Sequence, residues 1–215
     1  LSFGLNSKLV RDVNGKIIEK VYKSGGMYGP AIDKIIFWLE KAKGVAENKK
    51  QADALALLID FYKTGDLLTW DNYNIAWLQA TDGNIDYING FIEVYNDPLG
   101  YRGSYEAVVQ IKDFDMSAKM EVVSKNVQWF EDNSPLLPEH KKKNVVGVSY
   151  KTVIVAGESG DSSPSTPIGV NLPNADWIRA THGSKSVSLG NIIDAYATAG
   201  EKDRLKEFVD DLPNQ

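Results

Sequence analysis

The spacing of apolar residues changes near Gly90, and that change limits the folds open to this chain. Before it, Ile32, Ile35, Ile36, Leu39 and Ala42 recur at helical intervals behind Pro30, a residue favoured in the first helical turn. They predict an amphipathic helix to about residue 47. A second helix is predicted from about residue 50, with Leu55, Leu58, Ile59 and Tyr62 on one face and Gly65 as terminator. A third follows Thr69, whose hydroxyl is the expected cap, and runs through Trp77. Beyond Gly90 the pattern shortens. Phe91-Ile92-Glu93-Val94-Tyr95 is β-branched and aromatic and ends in the turn signal Asn96-Asp97-Pro98-Leu99-Gly100, so it predicts a strand and a turn.

The remainder repeats this mixture. Residues 1–28 are turn-rich and read as irregular around a short hairpin, Ile17-Ile18 to Val21-Tyr22, with Asn14-Gly15 and Gly25-Gly26 as punctuation. Tyr105 to Ile111 is the expected antiparallel partner of the strand at 91–95. Ser117 to Phe130 regains helical spacing until Pro135 and Pro138, and Val145 to Ala156 has the density of one or two further strands. Gly157 to Pro167 reads as a surface loop, and helices are expected from about Leu189 to Thr198 and Lys202 to Val209. In coarse form, 29–80 is helical, 90–113 and 145–171 strand-rich, and 117–130 and 189–210 helical. Helices, strands, helix, strands, helices is the order of an α+β fold: helices packed around a small, partly antiparallel β-sheet or barrel-like core.

Composition removes several functions. The chain has 215 residues, a formal net charge of -5 and one short basic run, Lys141-Lys142-Lys143, which does not suit a phosphate backbone, so no nucleic-acid partner is expected. No apolar run approaches the roughly 20 residues that span a bilayer, so no membrane is expected either. There is no cysteine, which excludes disulfides, thiolate nucleophiles and Cys-based zinc sites and suits a reducing, cytoplasmic setting. Only His140 and His182 are present, without a His-x-x-x-His spacing, so no metal ligands are assigned. Neither histidine has the context of a Ser–His–Asp site, and the loop at Gly157 lacks the Gly-Lys-Ser/Thr ending of a phosphate cradle.

Two segments carry candidate chemistry. Strand alternation puts Phe91, Glu93 and Tyr95 on one face and Ile92 and Val94 on the other, and either face suits the core. If Ile92 and Val94 are buried, a carboxylate and a phenol stand side by side, able to hold a cationic group and donate a hydrogen bond next to it. The plainer alternative is the polar face of an edge strand. In Pro167-Ile168-Gly169-Val170-Asn171-Leu172-Pro173-Asn174, Pro173 stiffens the backbone that presents Asn171 and Asn174, which suits ligand binding. Here the alternative is that both are turn and cap residues, Asn174 capping a helix through Ile178.

At the level of whole motifs, Gly90 to Gly100 resembles a segment of the dipeptidyl peptidase III family. So do Pro167 to Asn174 and Lys185-Ser186-Val187-Ser188-Leu189-Gly190-Asn191, while Gly4 to Leu9 and Pro30 to Ala46 are similar to its bacterial members. The resemblance implies a two-lobed zinc metallopeptidase that removes dipeptides from short peptides, with a five-stranded β-core in the lower lobe and the peptide added as a strand. It implies that Glu93 pairs with the peptide's ammonium, helped by Asn171 and Asn174, and that Tyr95 is a catalytic residue hydrogen-bonded to the scissile carbonyl. It assigns no role to Glu106. The family's His-Glu-x-x-Gly-His and Glu-Glu-x-x-Ala motifs, which carry zinc, do not occur in these residues. Residues 1–215 are therefore expected to be the substrate-binding part of such an enzyme, without a cofactor of their own and inactive when isolated. The expected partners are short peptides and a zinc-bearing lobe of a full-length parent. The alternative is a stand-alone peptide-binding or interaction module whose tryptophans only pack.

Overall fold

A computed structural model describes residues 4–145, 149–163 and 166–198, and the expectations for Val146, Val148 and a helix at 202–209 lie outside these residues. The amino-terminal segment is more regular than its composition suggests. Strands β1 (Ser7–Arg11) and β2 (Ile17–Val21) form an antiparallel hairpin. Its turn sits at Asn14-Gly15, with the Asp12 carboxylate accepting from both Asn14 N and Lys16 N at 2.9 Å. The hairpin expected between Ile17-Ile18 and Val21-Tyr22 is thus corrected: Ile17, Ile18 and Val21 share one strand, because the turn-forming residues precede it.

Three helices follow. They are α1 (Gly29–Gly44), α2 (Lys49–Thr64) and α3 (Leu67–Gln79). Asn48 caps α2 through Gln51 N at 2.9 Å, and Gly65, at φ 71, ends it as the left-handed residue expected there. Thr69 does not cap α3. Asp66 does, because its carboxylate is a turn ahead of Thr69 and accepts from both the Thr69 N–H and hydroxyl at 2.8 Å. These helices bury Ile32, Leu39, Leu55, Leu58, Phe61, Tyr62, Trp70 and Trp77 in one core with Ile88, Phe91 and Val108 of the sheet.

The sheet has the order β3-β4-β5-β7-β6, with one parallel pair, β5 with β7, among antiparallel neighbours. Its strands are β3 (Ile85–Glu93), β4 (Ser104–Lys112), β5 (Ser149–Gly160), β6 (Gly169–Leu172) and β7 (Lys185–Leu189). Strand β3 starts six residues before Phe91, passing through Gly90, where the apolar pattern of the sequence changes. Gly90 is there for space: a Cβ on it would lie 2.3 Å from Cη2 of Trp70, so the glycine lets α3 approach the strand. The predicted alternation along 91–95 also fails. A register shift between Phe91 and Glu93 buries both Phe91 and Ile92 and leaves Glu93 half-buried beyond them.

After β4, the single helix expected over 117–130 is two, α4 (Phe114–Lys125) and α5 (Val127–Asp132), divided at Asn126, whose amide bonds back to the Val122 carbonyl at 2.7 Å. The loop expected from Gly157 is strand as far as Gly160, since Gly157, Glu158 and Ser159 pair with Val109, Val108 and Ala107. Helices α6 (Asp176–His182) and α7 (Gly190–Thr198) flank β7. Asn174 is not the cap of α6. Ala175 occupies that position without a side-chain bond. The α+β class and partly antiparallel core match the expectation. The two sheet edges also converge, because Glu93 at the end of β3 meets Asn174 just after β6.

Candidate functional site

That meeting point is a pocket of ≈ 340 Å³ holding all four sequence-predicted residues, Glu93, Tyr95, Asn171 and Asn174. Each is fixed by a different local device. Glu93 follows the β3 bulge, which turns its carboxylate out of the strand's alternation and toward Asn174, whose Nδ2 donates to Glu93 Oε1 at 3.2 Å. Tyr95 stands in a turn closed by Asp97, whose backbone N–H reaches Val94 O at 3.0 Å and whose carboxylate accepts from Tyr101 N and Arg102 N at 3.0 and 3.1 Å. Those two backbone bonds, before any other cause, hold the Asp97 carboxyl below its usual range. Asn171 projects from β6 and accepts from Ser186 Oγ of β7 at 3.2 Å, so its amide protons are not committed to that bond.

Two further carboxylates complete the pocket, and sequence reasoning missed both. Asp161 accepts the Tyr95 hydroxyl on one oxygen and Asn96 Nδ2 on the other, the latter at 3.1 Å. It stands in the turn that directly follows β5. Gly160, at φ 74 with no room for a Cβ against Tyr105 O, turns the end of β5, and Asp161 N then bonds Tyr105 O at 2.8 Å. The bond to Asp161 is the main cause that pushes the Tyr95 phenol up to about 12, so Tyr95 keeps its proton and remains a donor.

Glu106 is the deeper of the two, 5% exposed, on the inner face of β4 with Val108 and Gln110. Its cross-strand neighbours are Gly90 of β3 and Gly160 of β5, so no side chain stands beside it on either flank. Burial first, then the charges of Glu93 and Asp161, lifts its carboxyl to about 7. A signal did exist: a glutamate on the same face of a strand as Val108 is out of place unless something occupies that face. For Asp161 no comparable signal exists in the sequence.

The pocket lining contains Glu93, Glu106 and Asp161 but no Lys, Arg or His. Three acids without a protein cation make a site for a positively charged group with several hydrogen-bond donors. Nearby, α3 and β3 enclose a second pocket of ≈ 270 Å³, walled by Trp70, Tyr73, Trp77 and Ile92 and sharing Leu172 and Asn174 with the acidic one. An apolar cavity and an acidic one thus meet at Asn174. Among the described residues no group of three or more His, Asp or Glu side chains is placed to hold a metal ion, so the residues present do not fit a catalytic zinc. No helix of the described residues is long and apolar enough to cross a membrane.

Comparison with known proteins locates this arrangement. The chain is 34% identical to dipeptidyl peptidase 3 of Rattus norvegicus and to that of Homo sapiens, in each case over 178 residues covering 82% of this chain and 24% of the relative. It therefore spans about a quarter of the length of these curated relatives. Among solved structures, DPP III from Caldithrix abyssi superposes with a TM-score of 0.76 at 27% identity, covering 88% of this chain and 36% of that one. Dipeptidyl-peptidase III from Corallococcus sp. strain EGB shares the fold with a TM-score of 0.73 at 22% identity, covering 89% of this chain and 35% of that one. The model of peptidase family M49 matches residues 6–214, and the chain belongs to that family.

Proposed function

We propose that these residues form the part of a dipeptidyl peptidase that grips the free amino end of short peptides. The observation that carries this reading is the pocket with three carboxylates and no protein cation. A peptide ammonium brings one positive charge and three protons, which Glu93, Glu106 and Asp161 surround with acceptors. Asn171 and Asn174 line the same pocket from β6 and the residues after it, and their amides meet the first peptide groups and orient the chain. Tyr95, whose hydroxyl proton goes to Asp161 in the free protein, turns that same proton to the carbonyl of the bond to be cleaved when a peptide is bound, where a donor gains strength as negative charge develops. Glu93 therefore measures distance from the amino end and Tyr95 marks where cleavage falls.

Cleavage itself needs a group that these residues do not hold, and the family's catalytic zinc belongs to a part of the parent protein beyond them. The 215-residue chain is accordingly a binding half-site that releases no dipeptide from a chromogenic substrate. Its binding is testable by calorimetry with a tetrapeptide in free and N-acetylated forms. Charge-assisted hydrogen bonds of about 1.5–3 kcal/mol predict that the free form binds roughly 10- to 100-fold tighter, and that Glu93→Gln removes most of this difference. Equal binding of the two peptides by the wild-type chain would refute the assignment.

A further inference from the structure

A buried ion pair contacts Trp77, one of the walls of the apolar pocket. Lys185, on β7, is 2% exposed, and its three ammonium protons have three partners: Asp86 Oδ2 at 2.8 Å, Ala80 O at 3.0 Å and the face of the Trp77 ring at 4.1 Å. The other oxygen of Asp86 accepts the Trp77 indole N–H at 3.0 Å, a donor shared with Tyr87 O at 2.9 Å. Lys151 of β5 adds a bond to Thr81 O at 2.6 Å. Two cations from two strands thus satisfy the carbonyls that follow α3, where the helix dipole favours positive charge.

Such a pair is an expensive way to fill a core. Taking two charges out of water costs about as much as their attraction returns, and apolar side chains of similar volume often serve stability as well or better. What apolar replacements do not supply is direction. Asp86 holds the indole by its edge and Lys185 holds it by its face, and together they leave Trp77 one orientation as a wall of the ≈ 270 Å³ pocket.

We propose that Asp86 and Lys185 are positioning residues that act through Trp77 to keep this pocket open to a large apolar or aromatic side chain. The source of that side chain, one of the first residues of a bound peptide, rests on the function proposed above. The pocket's dependence on the pair does not.

The test uses p-cresol, which matches a tyrosine side chain and needs no ammonium site. Titration into the 15N-labelled chain is followed at the Trp77 indole resonance, assigned through Trp77→Phe. The wild-type chain is expected to show a saturable shift of that resonance. In Lys185→Met, which keeps the apolar stem, p-cresol binds at least about tenfold more weakly and the free indole resonance moves, while circular dichroism retains the wild-type helix content. Asp86→Asn keeps an amide oxygen for the indole and is the second variant should Lys185→Met not fold; it is expected to weaken p-cresol binding several-fold. Equal p-cresol affinity in wild type and a folded variant, or no shift at Trp77 in the wild type, overturns the inference. Binding of p-cresol that depends on Lys185 while free and acetylated peptides bind equally supports the positioning role and refutes only the ammonium site.

Discussion

Replacing Glu106 with glutamine tests the acidic pocket without any substrate. The Glu106 carboxyl is lifted from 4.5 to about 7, by burial first and by Glu93 and Asp161 second. Between those two values the folded protein keeps a proton that the unfolded chain has released. The associated stability is fully present below about pH 4.5 and is lost as pH rises through 7, and a shift of this size corresponds to about 3 kcal/mol. Glu106→Gln keeps the shape and the hydrogen-bonding atoms but has no proton to lose. Urea unfolding of both proteins at pH 4.5, 6 and 8 should show the wild type losing about 3 kcal/mol relative to the variant across that range, with most other titrating groups cancelling in the comparison. A difference that stays flat with pH would show that Glu106 is ionised in an ordinary environment and that the pocket is not strained by its own charge. The same strain predicts how binding depends on pH. A cation relieves the repulsion, so affinity for a free-amine peptide should rise as Glu106 loses its proton around pH 7 and fall again as the peptide's amine, ordinarily near 7.7–8.0, loses its own.

Other consequences concern the scaffold that brings β3 and α3 together. Gly90→Ala places a methyl group 2.3 Å from Cη2 of Trp70, and because that ring is packed against Phe61 and Tyr73 the helix must shift; thermal unfolding should show a loss of about 1–3 kcal/mol, and an unchanged midpoint would contradict the close approach. Asp66→Ala deletes the cap of α3 and should cost about 1 kcal/mol, with Asp66→Asn, which still accepts the Thr69 N–H, recovering most of it in the same assay.

Where one period governs one element, the sequence was sufficient. The spacing of Leu55, Leu58, Ile59 and Tyr62 with a terminal glycine defines α2 within a residue or so, and the apolar run at 105–111 defines the partner of β3. The motifs at 90–100 and 167–174 lead to four residues that share one pocket although about eighty positions separate their segments, a juxtaposition that periodicity alone does not give. Along β3 the failures have a common cause, which is that contact with another segment replaced the local rule. The apolar pattern changes at Gly90 inside a continuous strand because its need for a glycine is set by Trp70, twenty residues earlier. Phe91 and Ile92 read as opposite faces because the bulge that buries both is a property of pairing with β4.

The acidic residues show why the alternation of a strand is a weak guide where a sheet's edges converge. Glu106 falls on the inner face in the same register as Val108, and in a closed core that position would demand an apolar residue or a paired cation. Neither is present, and the flanking positions are Gly90 and Gly160, so the carboxylate sits in space that the sheet leaves vacant at its own level. Local strand pattern therefore reports a misplaced charge, whereas the pairing register reports an opening lined with charge. Only the second reading explains why burial is tolerated: the inner face at Glu106 ends in a pocket shared with Glu93 and Asp161, and a cation entering that pocket would offset the burial and, after it, the repulsion that hold the Glu106 proton in place.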